Sequence, residues 1–256
     1  MACNKLVLSM LALSFAAPGI CAESTPASSS PTVANAVDPA SLQALRKMGA
    51  FLQSLQRFQV RTELSSEHVL EDGEKLQQSS SAEIQVQRPD KLRALMWSAR
   101  AERELIYRGT TATLYTPALK YYASAEVANN IRGMIDQLAS KYGVQVPMAD
   151  LFLWGTDDAP LDNIESAMNA GQDFIGKDLC DHYAFRQGKV DWQIWISTGN
   201  SPLPRKLVIT SRFDEARPQS VSYMFWNLKP AFTDAVFQFT PPKDAHAIGI
   251  RPLDTK

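Results

Sequence analysis

The sequence predicts an α+β domain in which antiparallel sheet supplies most of the core. Three features carry that expectation. Apolar residues recur with period two over two long tracts, from Phe58 to Ala123 and again from Phe174 to Phe225. Helical spacing is confined to a leading segment after Asp38 and to a middle stretch between the two tracts. No fixed-period internal repeat is visible.

The elements follow in chain order. Asp38-Pro39 starts a helix, with a carboxylate able to cap and a proline whose φ is already set. Leu42, Leu45, Met48, Leu52 and Leu55 then form one apolar stripe, as expected for a helix with a single core-facing side. From Phe58 the period changes to two. Phe58, Val60, Thr62 and Leu64 alternate with polar residues, Asp72-Gly73 makes a turn, and Ala82, Ile84 and Val86 return. Arg88-Pro89-Asp90 breaks the chain before Leu92–Trp97. Strands at Glu104–Arg108, Thr111–Thr116 and Leu119–Ala123 complete a meander with one dry face. Val127, Ile131, Met134, Ile135 and Leu138 have helical spacing and stop at Tyr142-Gly143. Pro147–Trp154 and Leu161–Met168 read as two further short helices around an acidic Asp157-Asp158 loop. The strand period returns from Phe174, with Val190, Trp192, Ile194 and Ile196 on one face. Lys206–Ser211, the face of Val221, Tyr223 and Phe225, and finally Phe237-Gln238-Phe239 close the set.

Composition excludes several classes. A chain of 256 residues that is 45% hydrophobic is too apolar for disorder, and 26 basic against 27 acidic side chains lack the excess of a nucleic-acid binder. Lys5, the apolar stretch Leu6–Ala17, and Pro18-Gly19 followed by Ile20-Cys21-Ala22 resemble a secretory signal peptide. The expected organisation is a signal over residues 1–22 cleaved after Ala22, a Ser/Pro/Ala-rich linker over 23–37, and one domain over 38–256. Bulky Ile20 before Cys21 does not suit a lipoprotein signal. Cleavage leaves Cys180 as the sole cysteine, so an intramolecular disulfide is excluded, and no transmembrane segment remains.

Catalytic motifs are sparse. The three histidines, at 68, 182 and 246, are far apart, and no metal-protease helix, paired-cysteine motif or phosphate loop occurs. Cys180-Asp181-His182 is the best enzymatic candidate, because on a strand both ends of the triplet share a face. A third group is missing, and a buried cysteine beside a hydrogen-bonded histidine is the simpler expectation. Asp157, Asp158, Asp162 and Glu165 lack the alternating oxygens of a calcium loop, so no metal and no cofactor are expected. The aromatics of the strands fit either a solid core or an apolar hollow, and composition does not choose between them.

Local motifs add a family resemblance. Arg88-Pro89-Asp90-Lys91-Leu92-Arg93, the Gly109–Pro117 turn and strand, Pro202–Leu207 and Phe237–Pro242 resemble the corresponding stretches of lipoprotein carriers with the LolA-like fold. Tyr121-Tyr122-Ala123, Pro147–Leu151, Cys180-Asp181-His182 and Asp191–Ile196 resemble signature stretches of a family of predicted periplasmic proteins sharing that fold. The resemblance spans roughly residues 40–250. It departs at Arg108, where the carriers have Asp, and in a longer insert over 143–170.

The resemblance implies a strongly curved antiparallel sheet, an open half-barrel, with helices covering its concave face and enclosing a dry space for acyl chains. It implies a periplasmic, non-enzymatic binding or carrier protein for a lipid or other hydrophobic ligand. Trp97, Tyr107, Tyr115, Met134, Leu138, Trp192, Ile194 and Phe225 are the residues expected to line the space. The alternative is an interaction module that docks another envelope protein. Its expected contact is Trp195, which lies on the otherwise polar face of Asp191, Gln193 and Ser197.

Overall fold

The computed structural model of the chain describes residues 36–253. The expected signal peptide and all but the last two residues of the expected linker lie outside the described residues. Helix α1 (Pro39–Ser54) is followed by β1 (Arg57–Val69), β2 (Lys75–Gln87), β3 (Lys91–Trp97), β4 (Glu102–Arg108), β5 (Thr111–Thr116) and β6 (Tyr121–Glu126). Helix α2 (Ile131–Tyr142) separates these from β7 (Ile164–Ile175), β8 (Asp178–Gln187), β9 (Val190–Ser197), β10 (Pro204–Ser211) and β11 (Gln219–Asn227). A short β12 (His246–Ala247) ends the series.

All twelve strands form one open sheet in the order β12-β6-β5-β4-β3-β2-β1-β11-β10-β9-β8-β7. Each meander keeps its chain order, and the two are stitched together by antiparallel pairing of β1 with β11, from Gln59↔Asn227 to Ser66↔Ser220. Only β12 pairs parallel, with β6. The α+β antiparallel architecture expected from the sequence is therefore the one observed.

The helices start and stop where local chemistry directs. Asp38 caps α1 by accepting from the backbone N–H of Ala40 and Ser41 and from the Ser41 hydroxyl. Those bonds hold its carboxyl below the ordinary range. Asn130 caps α2 through the Gly133 N–H at 2.8 Å, and Gly143, at φ 66°, ends it in the left-handed conformation. Leu45, Met48 and Leu52 of α1, with Ile131, Met134 and Leu138 of α2, pack in one cluster with Phe58, Val60, Ile84, Leu92 and Tyr107 of the sheet. Both helices thus cover the same face. That face is dry because β1–β5 each send alternate residues into it.

Two stretches depart from the sequence expectation. Leu161–Met168 is not a helix, since β7 begins at Ile164. Bulges between Ile164 and Ser166 and between Asn169 and Gly171 shift its pairing with β8 and erase the period-two signal. Only Ala167 of this edge strand is buried, and there Val37 joins it in a parallel bridge. Phe237-Gln238-Phe239 is not a strand either. Asp234–Phe237 forms a 3-10 turn, and the segment crosses the outer face of the sheet toward β12. Lys91 holds it through Asp234 at 2.7 Å, and Phe239 packs on Tyr115 and Tyr122. Pro241-Pro242 supply no N–H to a ladder. Of the other expected short helix, only Ala149–Phe152 forms, as one 3-10 turn.

That turn is clamped to α1. A Cβ on Gly49 would lie 2.4 Å from the backbone nitrogen of Gly155, and one on Gly155 would lie 2.4 Å from the Gly49 carbonyl oxygen. Gly155 also sits at φ 81°. Beside this contact the Gln53 amide donates to the carbonyls of Phe152, at 3.3 Å, and Trp154, at 2.7 Å. Gly49→Ala is therefore expected to cost about 1–3 kcal/mol, the range for overpacking a close contact. Denaturant titration checks this, and a variant as stable as the parent would contradict the clamp.

Candidate functional site

The dry face is filled along only part of its length. Beneath α2 the sheet is solidly packed: Tyr107 has no exposed surface, and its hydroxyl donates to the Ala128 carbonyl at 2.8 Å. Farther along, toward β9–β11, the face opens into a cavity of ≈ 850 Å³, within the range of ligand pockets. Its lid is the segment running from Gln145 through the 3-10 turn to Trp154. Its floor comes from residues of β1–β3 and β9–β11, with Arg103 of β4 at one edge.

One wall of the cavity is aromatic and aliphatic. Trp192 stacks on Phe185 at 4.1 Å between ring centroids and meets Trp154 of the lid at 6.1 Å. Its indole N–H donates to the Gln187 amide oxygen at 3.2 Å, which fixes the ring. Ile194, Leu207 and Ile209 extend this wall, and Val146, Met148 and Leu151 face it from the lid. The β1–β2–β11 side carries hydroxyls instead, from Thr62, Ser80, Ser220 and Ser222. Arg103 and Asp150 are the charged residues at the cavity. The apolar lid around Asp150 raises its carboxyl above the ordinary range through desolvation.

The structure distributes the sequence-nominated residues over three places. Trp97, Trp192 and Ile194 line the cavity. Tyr107, Met134 and Leu138 lie in the packed core under α2. Tyr115 and Phe225 are on the outer face, because the inward residues of β11 are Ser220, Ser222, Met224 and Trp226. Tyr115 borders a smaller cleft under the C-terminal segment, and Phe225 is 51% exposed. The lid residues and the β10–β11 floor were missed. Leu207 and Ile209 share one strand parity, but apolar Val208 on the other parity left the inward face ambiguous. The inward serines of β11 gave no signal.

Trp195 is on the outer face as expected, but it is covered rather than exposed, at 5%. His182 stacks on it at 4.0 Å with an interplanar angle of 9°, and the Lys206 ammonium lies 4.4 Å from its ring centre. Its indole N–H donates to Asp173 at 2.9 Å. The His182 ring also meets the Gln193 amide oxygen at 2.9 Å. Cys180 is fully buried nearby, with its thiol 3.5 Å from the Asp178 carbonyl. Burial, then the negative charge of Asp178, pushes this thiol above its usual range, which favours the unreactive protonated form. Among the described residues, no group of three or more His, Cys, Asp or Glu side chains is placed to hold a metal ion.

The family described as "Predicted periplasmic protein (DUF2092)" matches residues 41–251. No curated protein matches the chain. Among solved structures, the chain is similar to the lipoprotein LppX from Mycobacterium tuberculosis, at 13% identity and a TM-score of 0.47, over 76% of this chain and 98% of that one. It is similar to LprF from Mycobacterium bovis at 12% identity and a TM-score of 0.46, over 82% and 100% of the two chains. A LolA superfamily protein from Nitrosomonas europaea gives 10% identity and a TM-score of 0.33, over 78% and 97%.

Tyr107 provides a check on the filled half of the face. Burial, aided by the charge of Asp90, raises its phenol from 10.0 to about 12. The folded state then holds this proton more tightly than the unfolded state does. The corresponding stability is complete below pH 10.0 and is lost as pH rises through about 12. Tyr107→Phe should remove that part of the alkaline decline. At neutral pH it should cost ~1 kcal/mol for the lost bond to Ala128. Thermal melts across the alkaline range decide, and an unchanged alkaline slope in the variant would contradict the assignment.

Proposed function

This chain belongs to the DUF2092 family of predicted periplasmic proteins, and from that premise we propose that it binds or carries a lipid or other hydrophobic ligand in the periplasm. The observation that carries the reading is the cavity of ≈ 850 Å³ between the lid and the β9–β11 floor. A well-packed interior leaves few voids larger than a water molecule, so an open apolar space of this size on the dry face supports a ligand-binding role. Each methylene moved there from water is worth ~0.8 kcal/mol, so a partly enclosed hydrocarbon chain binds usefully without any catalytic group. No helix among the described residues is long and apolar enough to cross a membrane; the reading takes the chain to be exported by a signal cleaved after Ala22. In this reading Trp97, Trp192 and Ile194 contact the ligand, with Trp154 and Leu151 closing over it.

Native mass spectrometry of purified protein, followed by titration with a fluorescent fatty acid, tests the proposal. We expect uptake in the parent and a loss of about tenfold or more in Leu207→Trp, whose larger ring overfills the floor. Phe225→Ala, on the outer face, should take up the probe like the parent. A ligand-free protein that also fails to bind the probe would sink the idea.

A further inference from the structure

The cavity is polarised from one end to the other. Arg103 stands at its β4 edge, and the paired residues Arg103↔Met96, Met96↔Ala82, Ala82↔Thr62 and Thr62↔Met224 form one row across the floor. Beside it runs a second row, Ser80↔Leu64, Leu64↔Ser222, Ser222↔Leu207 and Leu207↔Ile194. Moving from β4 to β9 along these rows, Arg103 and then the hydroxyls alternate with Met96, Ala82 and Leu64, and beyond β11 the lining is hydrocarbon alone. Six interstrand spacings of ~4.8 Å separate the two ends, about 29 Å along the curved sheet.

Two independent features mark polar groups along this path, one at its β4 edge and one at its centre. Arg103 forms no ion pair among the described residues, whereas Lys91 and Arg93, on the other face of the same strand pair, are held by Asp234 and Glu104. Thr62, only 4% exposed, has a hydroxyl with no hydrogen-bond partner. Buried hydroxyls in folded proteins are nearly always satisfied, and rotation about χ1 turns this one toward the cavity without changing the residue's shape. A ligand that is hydrocarbon throughout would leave the Thr62 hydroxyl without a partner and the Arg103 charge to solvent alone.

Building on the carrier reading, we infer that the ligand is an anionic amphiphile. Its charged head sits at Arg103 and its hydrocarbon runs from there toward the wall of Trp192, Ile194 and Leu207. A carboxylate or a phosphate accepts from the guanidinium fork equally well. Oxygens that link the head to the hydrocarbon, where the amphiphile has them, face Ser80 and Thr62, two to three strands inward of Arg103. Arg103 keeps contact with solvent, so its pairing is salt-sensitive and moderate in strength.

The test compares three probes with the same hydrocarbon tail: palmitate, palmitoyl lysophosphatidate and uncharged methyl palmitate. Binding is read from the fluorescence of the cavity tryptophans. At low salt the two anionic probes should bind about fivefold more tightly than methyl palmitate, and high salt should narrow the gap. Arg103→Gln should bring all three to the affinity of the methyl ester, while Arg103→Lys keeps the order. The tighter of the two anionic probes identifies a carboxylate or a phosphate head. Methyl palmitate binding as tightly as palmitate, or an unchanged preference in Arg103→Gln, would overturn the inference and leave the carrier reading intact. Failure of every probe to bind would overturn both.

Discussion

Gly49 and Gly155 touch backbone to backbone, with no room for a methyl group between them. That contact places the 145–154 segment over the sheet at a fixed height. Helix α1 is itself anchored to the floor by Leu45, Met48 and Leu52, so the height of the lid is set by core packing. Gln53 fixes the lid's lateral position by holding two of its carbonyls. Without side chains at 49 and 155 the lid comes close enough for Trp154 to meet Trp192. A bulkier pair would lift that ring away and open the cavity to water.

The same sheet face therefore has two fates along its length. Under α2, side chains from both layers interdigitate, and Tyr107, Met134 and Leu138 have almost no exposed surface. Toward β9–β11 the covering element is a short irregular segment, too narrow to fill the width of the floor. The filled half supplies stability, and the open half retains unfilled volume that costs packing contacts. On the outer face, a stacked His182–Trp195 pair and a buried Cys180 form a small satellite cluster with Val208. It packs on the β8–β10 region, behind the aromatic wall. Asp191 of β9 pairs with Arg186 and Arg217.

Much of this was legible in the residues. Period two located the strands of both meanders except β7, helical spacing located α1 and α2, and the Asp38 and Gly143 ends read correctly. The failures have physical causes. Bulges in β7 break the alternation that a strand needs to be recognised. Aromatics at Phe237 and Phe239 anchor a crossing segment rather than a ladder. Trp192 and Ile194 could be placed on the dry face, yet nothing local separates Met134, which fills that face, from Leu151, which lines its hollow. Phe225 misled because β11 turns its apolar side outward and its serines inward. Periodicity reports which residues share a face. What covers that face depends on tertiary packing, which here rests on two glycines far apart in sequence.

The central claim is that the hollow half of this face receives a hydrocarbon chain. Photocrosslinking with a diazirine-bearing fatty acid, followed by peptide mapping of the adducts, tests it most directly. The account predicts adducts on the lid near Leu151 and Trp154 and on β9–β11 at Trp192, Ile194 and Leu207. Labelling confined to the outer face, at residues such as Phe225 or Tyr115, would contradict it.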